Sequence, residues 1–330
     1  GLELNNITFF ETHIDPSKNT PLEVVKYYSI IESGANKSYL DNEYKPKVKF
    51  PAVFSSTSPT LLNHIGNPEK FYYGGINIQN VSEIQFTRSL LLSTEINYSL
   101  VNNFTDTISG PGSNMEHVRT DIVQYLKNSD DFYIARAELD YIWSPAKNIY
   151  ARASFGLFES MYGGFGVELL FKPFNSNFTV AIEDFYVKKR AFDQRFKFLD
   201  YKTNTGHMSL GYLFSQYGIE ANLSYGRYLA KDEGYTLDMS RRTKSGFKAG
   251  FYFSRTNVSA ELFGEGSFDK GFYFQIPVDL FSKGYSANYT NFKLSPLTRD
   301  GGAKLIQEKS LRGLIYNSTY AEIDRDWMTF

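Results

Sequence analysis

One run of alternating residues, from Asp131 to Pro173, constrains this chain more than any other stretch. Tyr133, Ala135, Ala137, Leu139, Tyr141 and Trp143 share one parity, while Arg136, Glu138 and Asp140 share the other. That is the period of a β-strand with its charges confined to one face. After a turn at residues 144–147, Ile149, Ala151, Ala153, Phe155 and Leu157 oppose Tyr150, Arg152, Ser154 and Gly156. A third strand, Phe165 to Phe171, sets Val167, Leu169 and Phe171 against Glu168. Strands of soluble sandwiches usually run about 5 to 6 residues. These reach roughly ten, the span a tilted strand needs to cross a bilayer. The pattern predicts an all-β fold, an antiparallel transmembrane β-barrel that is apolar towards lipid and polar towards its lumen.

Composition agrees and removes other classes. No apolar run approaches the roughly 18 residues of a membrane helix. The mean hydropathy is −0.36 despite 29 Phe and 25 Tyr, as expected where alternation hides the apolar residues. A soluble β-sandwich or jelly roll would share this composition, so composition alone leaves that fold open. The chain has no Cys, which excludes disulfides, zinc-thiolate sites and cysteine nucleophiles. His13, His64, His117 and His207 follow no metal-ligand spacing, so neither a metal nor another cofactor is expected. A formal net charge of −1 lacks the basic footprint of a nucleic-acid binder.

Two regions follow from the order of signals. Residues 1–56 read as a small periplasmic α/β element and linker. A strand is expected over Ile7–Ile14, and a capping box at Thr20-Pro21-Leu22-Glu23 opens a helix through Ile31. Prolines from Pro46 to Pro68 mark Tyr44–Asn67 as a linker leading into the barrel. No signal peptide is visible in Gly1–Asn6, so a processed product or a piece of a longer chain is expected. Residues 57–330 read as the barrel. Its candidate strands include Leu92–Leu100, Phe178–Val187, His207–Phe214, Ile219–Tyr228, Phe247–Phe253, Val258–Phe263 and Phe272–Val278, with a closing strand near Leu311–Tyr320. The candidates point to about twelve to fourteen strands, an even number being usual. Two long charged connections are expected, Phe185–Asn204 and Ala230–Ser245. The basic part of the first, Lys188 to Lys197, reads as a solvated loop or as a contact for lipopolysaccharide or an acidic polysaccharide. A terminal aromatic, Phe330, is a usual assembly signal of such barrels.

Several blocks resemble one family. HIGNPEKFYYGG (64–75), MEHVRTDIVQYL (115–126), GLFESMYGGFGVELLFKP (156–173), TNTGH (203–207), GRYLAKDEG (226–234), FGEGSFDKGFYFQIP (263–277) and LTRDGG (297–302) are similar to the YjbH/GfcD family. Its members are exopolysaccharide and group 4 capsule biosynthesis proteins of the Gram-negative outer membrane. The resemblance covers roughly Pro51 to Leu305. It implies an outer-membrane location and a part in exopolysaccharide or capsule export without catalysis. The implied partners are polysaccharide, outer-membrane lipid and the polysaccharide export machinery. Members typically form two barrel halves, so the match to the second implies an N-terminal half or companion chain. Any lipid anchor on an acylated Cys would lie there too.

The same blocks gather charge at glycine-rich turns, where positive φ and close backbone approach are allowed. The candidate glycan-binding or lumen residues are Arg152, Glu159, Glu168, Arg227, Asp232, Glu265, Asp269, Lys270, Arg299 and Asp300. Two readings stay open. The residues form a sugar-guiding surface with Tyr162, Tyr225 and Tyr228 stacking on rings, or an ion-pair network that stiffens the interior. A glycosidase pair, Glu159 with Glu168 or Glu265 with Asp269, is the enzymatic alternative, and a phospholipase built on His207 a weaker one. A general porin is the structural alternative.

Overall fold

The structure, a computed structural model, describes residues 49–65, 72–106, 115–129, 131–173, 176–243, 245–259, 262, 268–278, 289–294 and 300–316. The strand and helix expected over Ile7–Ile14 and Thr20–Ile31 lie outside the described residues. Alternation is expressed as one 13-stranded sheet in which every strand pairs with its sequence neighbours. The strands are β1 (Ala52–Ile65), β2 (Tyr72–Gln85), β3 (Leu90–Asn102), β4 (Phe132–Ala146), β5 (Ile149–Leu157), β6 (Tyr162–Phe171), β7 (Phe178–Arg190), β8 (Phe198–Phe214), β9 (Ile219–Arg227), β10 (Glu233–Arg242), β11 (Lys248–Thr256), β12 (Asp269–Pro277) and β13 (Tyr289–Leu294). All pairs are antiparallel, the up-and-down order of a barrel wall. The fold is all-β; the described residues hold thirteen strands, close to the twelve or fourteen expected but not an even number. Among the described residues no pairing joins β13 back to β1.

The faces are inverted relative to a water-soluble fold. On β6, Phe165, Val167, Leu169 and Phe171 are exposed, and Gly166, Glu168 and Leu170 between them are buried. Phe155 of β5 is 66% exposed, whereas Arg152 on the same strand is 0% exposed. In water such a sheet would strand apolar area and bury charge.

One end carries the links 86–89, 147–148, 172–177, 215–218, 243–247 and 278–288, and the other carries 66–71, 103–131, 158–161, 191–197, 228–232 and 257–268. The two longest, 103–131 and 257–268, are at the second end, and the first of them includes a short helix α1 (Ile122–Lys127). At that end Val118, Tyr125, Phe158, Phe185, Leu229 and Leu305 pack into one buried apolar cluster. The cluster ties three of that end's links to the chain that follows β13.

Several expectations are corrected. The proposed linker Tyr44–Asn67 contains β1, whose Pro59 is tolerated because, among the described residues, β1 pairs with β2 alone and needs no donor towards a second strand. Ala230–Ser245 is largely β10. Its charges misled because Thr236 and Ser240 are buried on a polar inner face while Tyr235 faces out. Phe185–Asn204 shrinks to residues 191–197, since β7 runs to Arg190 and β8 starts at Phe198. No strand occupies 257–259, where Val258–Phe263 was expected to begin. The expected closing strand at Leu311 is instead a helix, α2 (Leu311–Tyr316), in which Leu311, Leu314 and Ile315 follow helical spacing. Finally, a β-bulge between Glu95 and Ile96 pairs Arg136 and then Ile134 with β3, skipping Ala135. The extra residue flips the parity, so Tyr133 points inward and its hydroxyl accepts from Asn77 Nδ2 at 2.8 Å.

Candidate functional site

The segment 300–316 enters the sheet's charged face from the long-loop end and fills it. Asp300 fixes its start. One carboxylate oxygen accepts from the backbone N–H groups of Val118, Arg119 and Thr120 at 2.9, 2.8 and 3.0 Å, and the other from the Thr120 hydroxyl at 2.8 Å. Three amides converging on one buried anion make a strong, charge-assisted anchor. Next, Gly302 N–H donates to Asp232 Oδ2 at 2.7 Å, and Leu229 N–H to the Ala303 carbonyl at 3.0 Å. Burial raises the Asp232 carboxyl above its ordinary range, and the Gly302 N–H opposes that shift.

Glu159 holds the next turn. Arg119 grips it as a fork, Nη1 to Oε2 at 2.6 Å and Nη2 to Oε1 at 2.8 Å, and also donates to the Lys304 carbonyl at 2.7 Å. Ile306 N–H donates to Glu159 at 3.2 Å. Burial works against the Arg119 charge, but Glu159 outweighs it and leaves the guanidinium above its usual pKa. Lys304 Nζ reaches Ser224 of β9 at 2.6 Å.

Deeper in, Arg152, Glu168, Glu183 and His207 stand in one row as successive cross-strand partners on β5, β6, β7 and β8. Arg152 donates to Glu168 at 3.1 Å and lies 3.4 Å from both Glu138 and Asp140. Gln307 bridges the row: its carbonyl oxygen accepts from Arg152, and its amide donates to Glu183 at 3.0 Å. Leu311 N–H donates to both Glu168 oxygens, at 3.1 and 2.9 Å. Lys309 pairs with Glu83 of β2, and Arg312 lies 3.8 Å from Glu220 of β9. Contacts to β2, β5, β6, β7 and β9 from one short segment require a wall that curls around it.

The sequence candidates therefore divide. Arg152, Glu159, Glu168, Asp232 and Asp300 meet along this segment. Arg227 ends β9 with its side chain exposed. Asp269 opens β12 near the segment's start, where a side chain on Gly302 would lie 3.4 Å from its Cβ. Lys270 is exposed over the Phe268 ring at 4.9 Å. Glu265 and Arg299 lie outside the described residues. The tyrosines expected to stack on sugar rings are placed otherwise. Tyr162 and Tyr228 are fully buried, the latter's hydroxyl 2.6 Å from Thr236, and Tyr225 is on the outer face. His207 Nδ1 lies 3.3 Å from Glu183.

Sequence reasoning missed Lys189, Arg190, Glu183 and Gln307. Lys189 and Arg190 were assigned to a solvated basic loop, yet both are buried. Lys189 contacts Asp121, and Arg190 donates to the carbonyls of Glu159, Ile134 and Gln194 at 2.7, 2.8 and 2.6 Å. Parity was the available signal for Glu183 and Lys189, which share the odd parity of the buried Phe185 and Val187 on β7; Arg190 has the opposite parity, beyond the register shift, and Gln307 lies outside the strands.

A family model described as "Exopolysaccharide biosynthesis protein YbjH" (YjbH) matches residues 15–317. The chain is 35% identical over 255 residues to "Uncharacterized lipoprotein YjbH" of Escherichia coli (strain K12), covering 75% of this chain. It spans 36% of that relative's length. Among solved structures, in-vitro folded OmpT, an outer membrane protein of Vibrio cholerae, is 11% identical, with a TM-score of 0.32, covering 78% of this chain and 93% of that one. Salmonella typhi OmpF in complex with daunomycin is 10% identical, with a TM-score of 0.37, covering 73% and 88%.

Proposed function

The chain belongs to the YjbH family of exopolysaccharide biosynthesis proteins, and from that premise we propose that it forms a plugged outer-membrane β-barrel assisting export of an exopolysaccharide or capsule, without catalysing a reaction. The observation that carries this reading is the inverted sheet, with exposed Phe155, Phe165 and Leu169 on one face and buried Arg152, Glu168 and Asp140 on the other. An apolar outer band suits lipid, and a polar interior suits a hydrated glycan. No helix among the described residues is long and apolar enough to cross a membrane, so the strands are what would cross it.

The filled interior favours a gated conduit or docking piece over a permanently open porin. Glu159 and Glu168, the carboxylates best placed for hydrolysis, are each engaged by an arginine and by segment amides. That occupancy supports a non-catalytic role, because a general acid needs reach to substrate. Polysaccharide, outer-membrane lipid, the rest of the longer family protein and the export machinery are the proposed partners.

The test is the partition of polysaccharide between cell surface and periplasm in cells lacking the protein, with and without a plasmid copy. Glycan retained inside while total synthesis continues is the expected result. Unchanged amount and location would overturn the export role.

A further inference from the structure

The segment 300–316 occupies hydrogen-bonding groups whose pattern matches a sugar. Glu168 and Glu183 are directly opposite on β6 and β7, where like charges destabilise a sheet unless donors neutralise them. Arg152 serves Glu168 and His207 Nδ1 lies 3.3 Å from Glu183, each from the neighbouring strand, and the segment adds Leu311 N–H to Glu168 and the Gln307 amide to Glu183 at 3.0 Å. Gln307 also accepts from Arg152. One carboxamide thus joins a guanidinium to a carboxylate. Its adjacent acceptor and donor reproduce what two neighbouring hydroxyls of a sugar offer, since one hydroxyl can accept while the next donates.

Charge narrows the class of ligand. The segment meets Glu83, Glu159, Glu168, Glu183, Glu220 and Asp232, and brings Lys304, Lys309 and Arg312 to them. Without those cations, the six acids in this set outnumber Arg119, Arg152 and Lys248, the last 3.6 Å from Glu220, which disfavours a polyanion. Deepening the export reading above and resting on it, we propose that Arg152, Glu168 and Glu183 bind vicinal hydroxyls of a neutral glycan, and that Gln307 holds this site in the closed state until glycan displaces the segment.

The detergent-folded chain is titrated with neutral gluco-, galacto- and manno-oligosaccharides. An oligogalacturonate is the acidic control, and polyethylene glycol of matching size the control without hydroxyl pairs. Gln307→Met keeps side-chain length but removes the amide. At least one neutral series is expected to bind, about tenfold tighter to Gln307→Met than to the unaltered chain, because the competing occupant is weakened. The acidic oligomer is expected to bind more weakly, and polyethylene glycol not at all. Failure of all three neutral series to bind Gln307→Met, equal affinity for both proteins, or preference for the acidic oligomer would overturn the site.

A locked segment gives a second readout. Ser224→Cys with Lys304→Cys, in a chain otherwise free of Cys, can be bridged by a short reducible bismaleimide. Binding is expected to vanish when bridged and return on reduction; undiminished binding while bridged refutes displacement. The cell assay separates the two ideas. An export defect without oligosaccharide binding refutes this site alone, and binding without an export defect refutes the export role alone.

Discussion

Arg152 and Glu168 are direct register partners across β5 and β6, and the guanidinium Nε donates to the carboxylate at 3.1 Å with both side chains buried. Glu138 and Asp140 of β4 each lie 3.4 Å from the same guanidinium, so one cation serves three carboxylates. Arg152→Met removes the cation and keeps the volume. It is expected to destabilise by about 3–5 kcal/mol, the cost of leaving buried charge uncompensated. Glu168→Gln retains an acceptor for Leu311 N–H and should cost less, about 1–3 kcal/mol. Urea unfolding followed by heat-dependent gel mobility ranks the two. A reversed order would contradict the network.

Asp300 is the anchor of the interior segment. Asp300→Ala leaves the amides of Val118, Arg119 and Thr120 without their shared acceptor. Hydrogen bonds to a charged group contribute about 1.5–3 kcal/mol each, so the segment is expected to detach while the strands remain paired. Limited proteolysis should then cut within 300–316, and planar-bilayer conductance should rise. Asp300→Asn keeps an acceptor oxygen and is expected to fall between. Resistance to protease equal to the unaltered chain would show that the anchor lies elsewhere.

The wall was readable because outward apolar and inward polar residues alternate, and β5 was bounded at Ile149 and Leu157 from parity alone. Parity was hidden where charges flank a strand and failed where a bulge intervenes. β10 keeps the rhythm, Tyr235, Leu237 and Met239 alternating with Thr236, Asp238 and Ser240, but Lys231, Asp232, Glu233, Arg241 and Arg242 at its two ends give the stretch the charge of a loop; Asp238 accepts from Tyr273 across the sheet at 2.8 Å. Tyr133 was placed outside because no single-residue signal marks the skipped Ala135. Glu168 and Asp300 were legible as charges in glycine-rich blocks, and Arg152 as the charge on the polar face of an alternating strand. Their companions were not, since Gln307 and Leu311 meet the wall only through a long-range path of the chain.

Arg190 stabilises backbone rather than charge. Its guanidinium satisfies carbonyls of Glu159, Ile134, Gln194 and Arg195, the last at 3.1 Å, where β4 bulges and the pairing of β7 with β8 shifts. A lysine carries the same charge but lacks the planar fork. Arg190→Lys is therefore expected to lose most of what Arg190→Ala loses, about 2–4 kcal/mol in each case. Urea midpoints of the two variants provide the comparison. Full stability of Arg190→Lys would mean that charge alone suffices.

Lys304 supplies a pH signature for the closed segment. Burial lowers its ammonium from 10.5 to about 8, with Glu183 opposing and Arg312 reinforcing the shift. The unfolded chain holds this proton up to the ordinary value, and the folded chain releases it earlier. Between those two values the unfolded state binds more protons, so stability rises with pH. Below pH 8 the desolvation cost is present in full, and above 10.5 its relief is complete. Other lysines and tyrosines titrate in the same window, so the informative quantity is the difference from Lys304→Met. From pH 7 to 9.5 the unaltered chain should gain on the order of 1–2 kcal/mol relative to that variant. Parallel stability curves for the two proteins would show that the Lys304 ammonium is not desolvated beside Ser224, and that the segment does not rest there in the closed state.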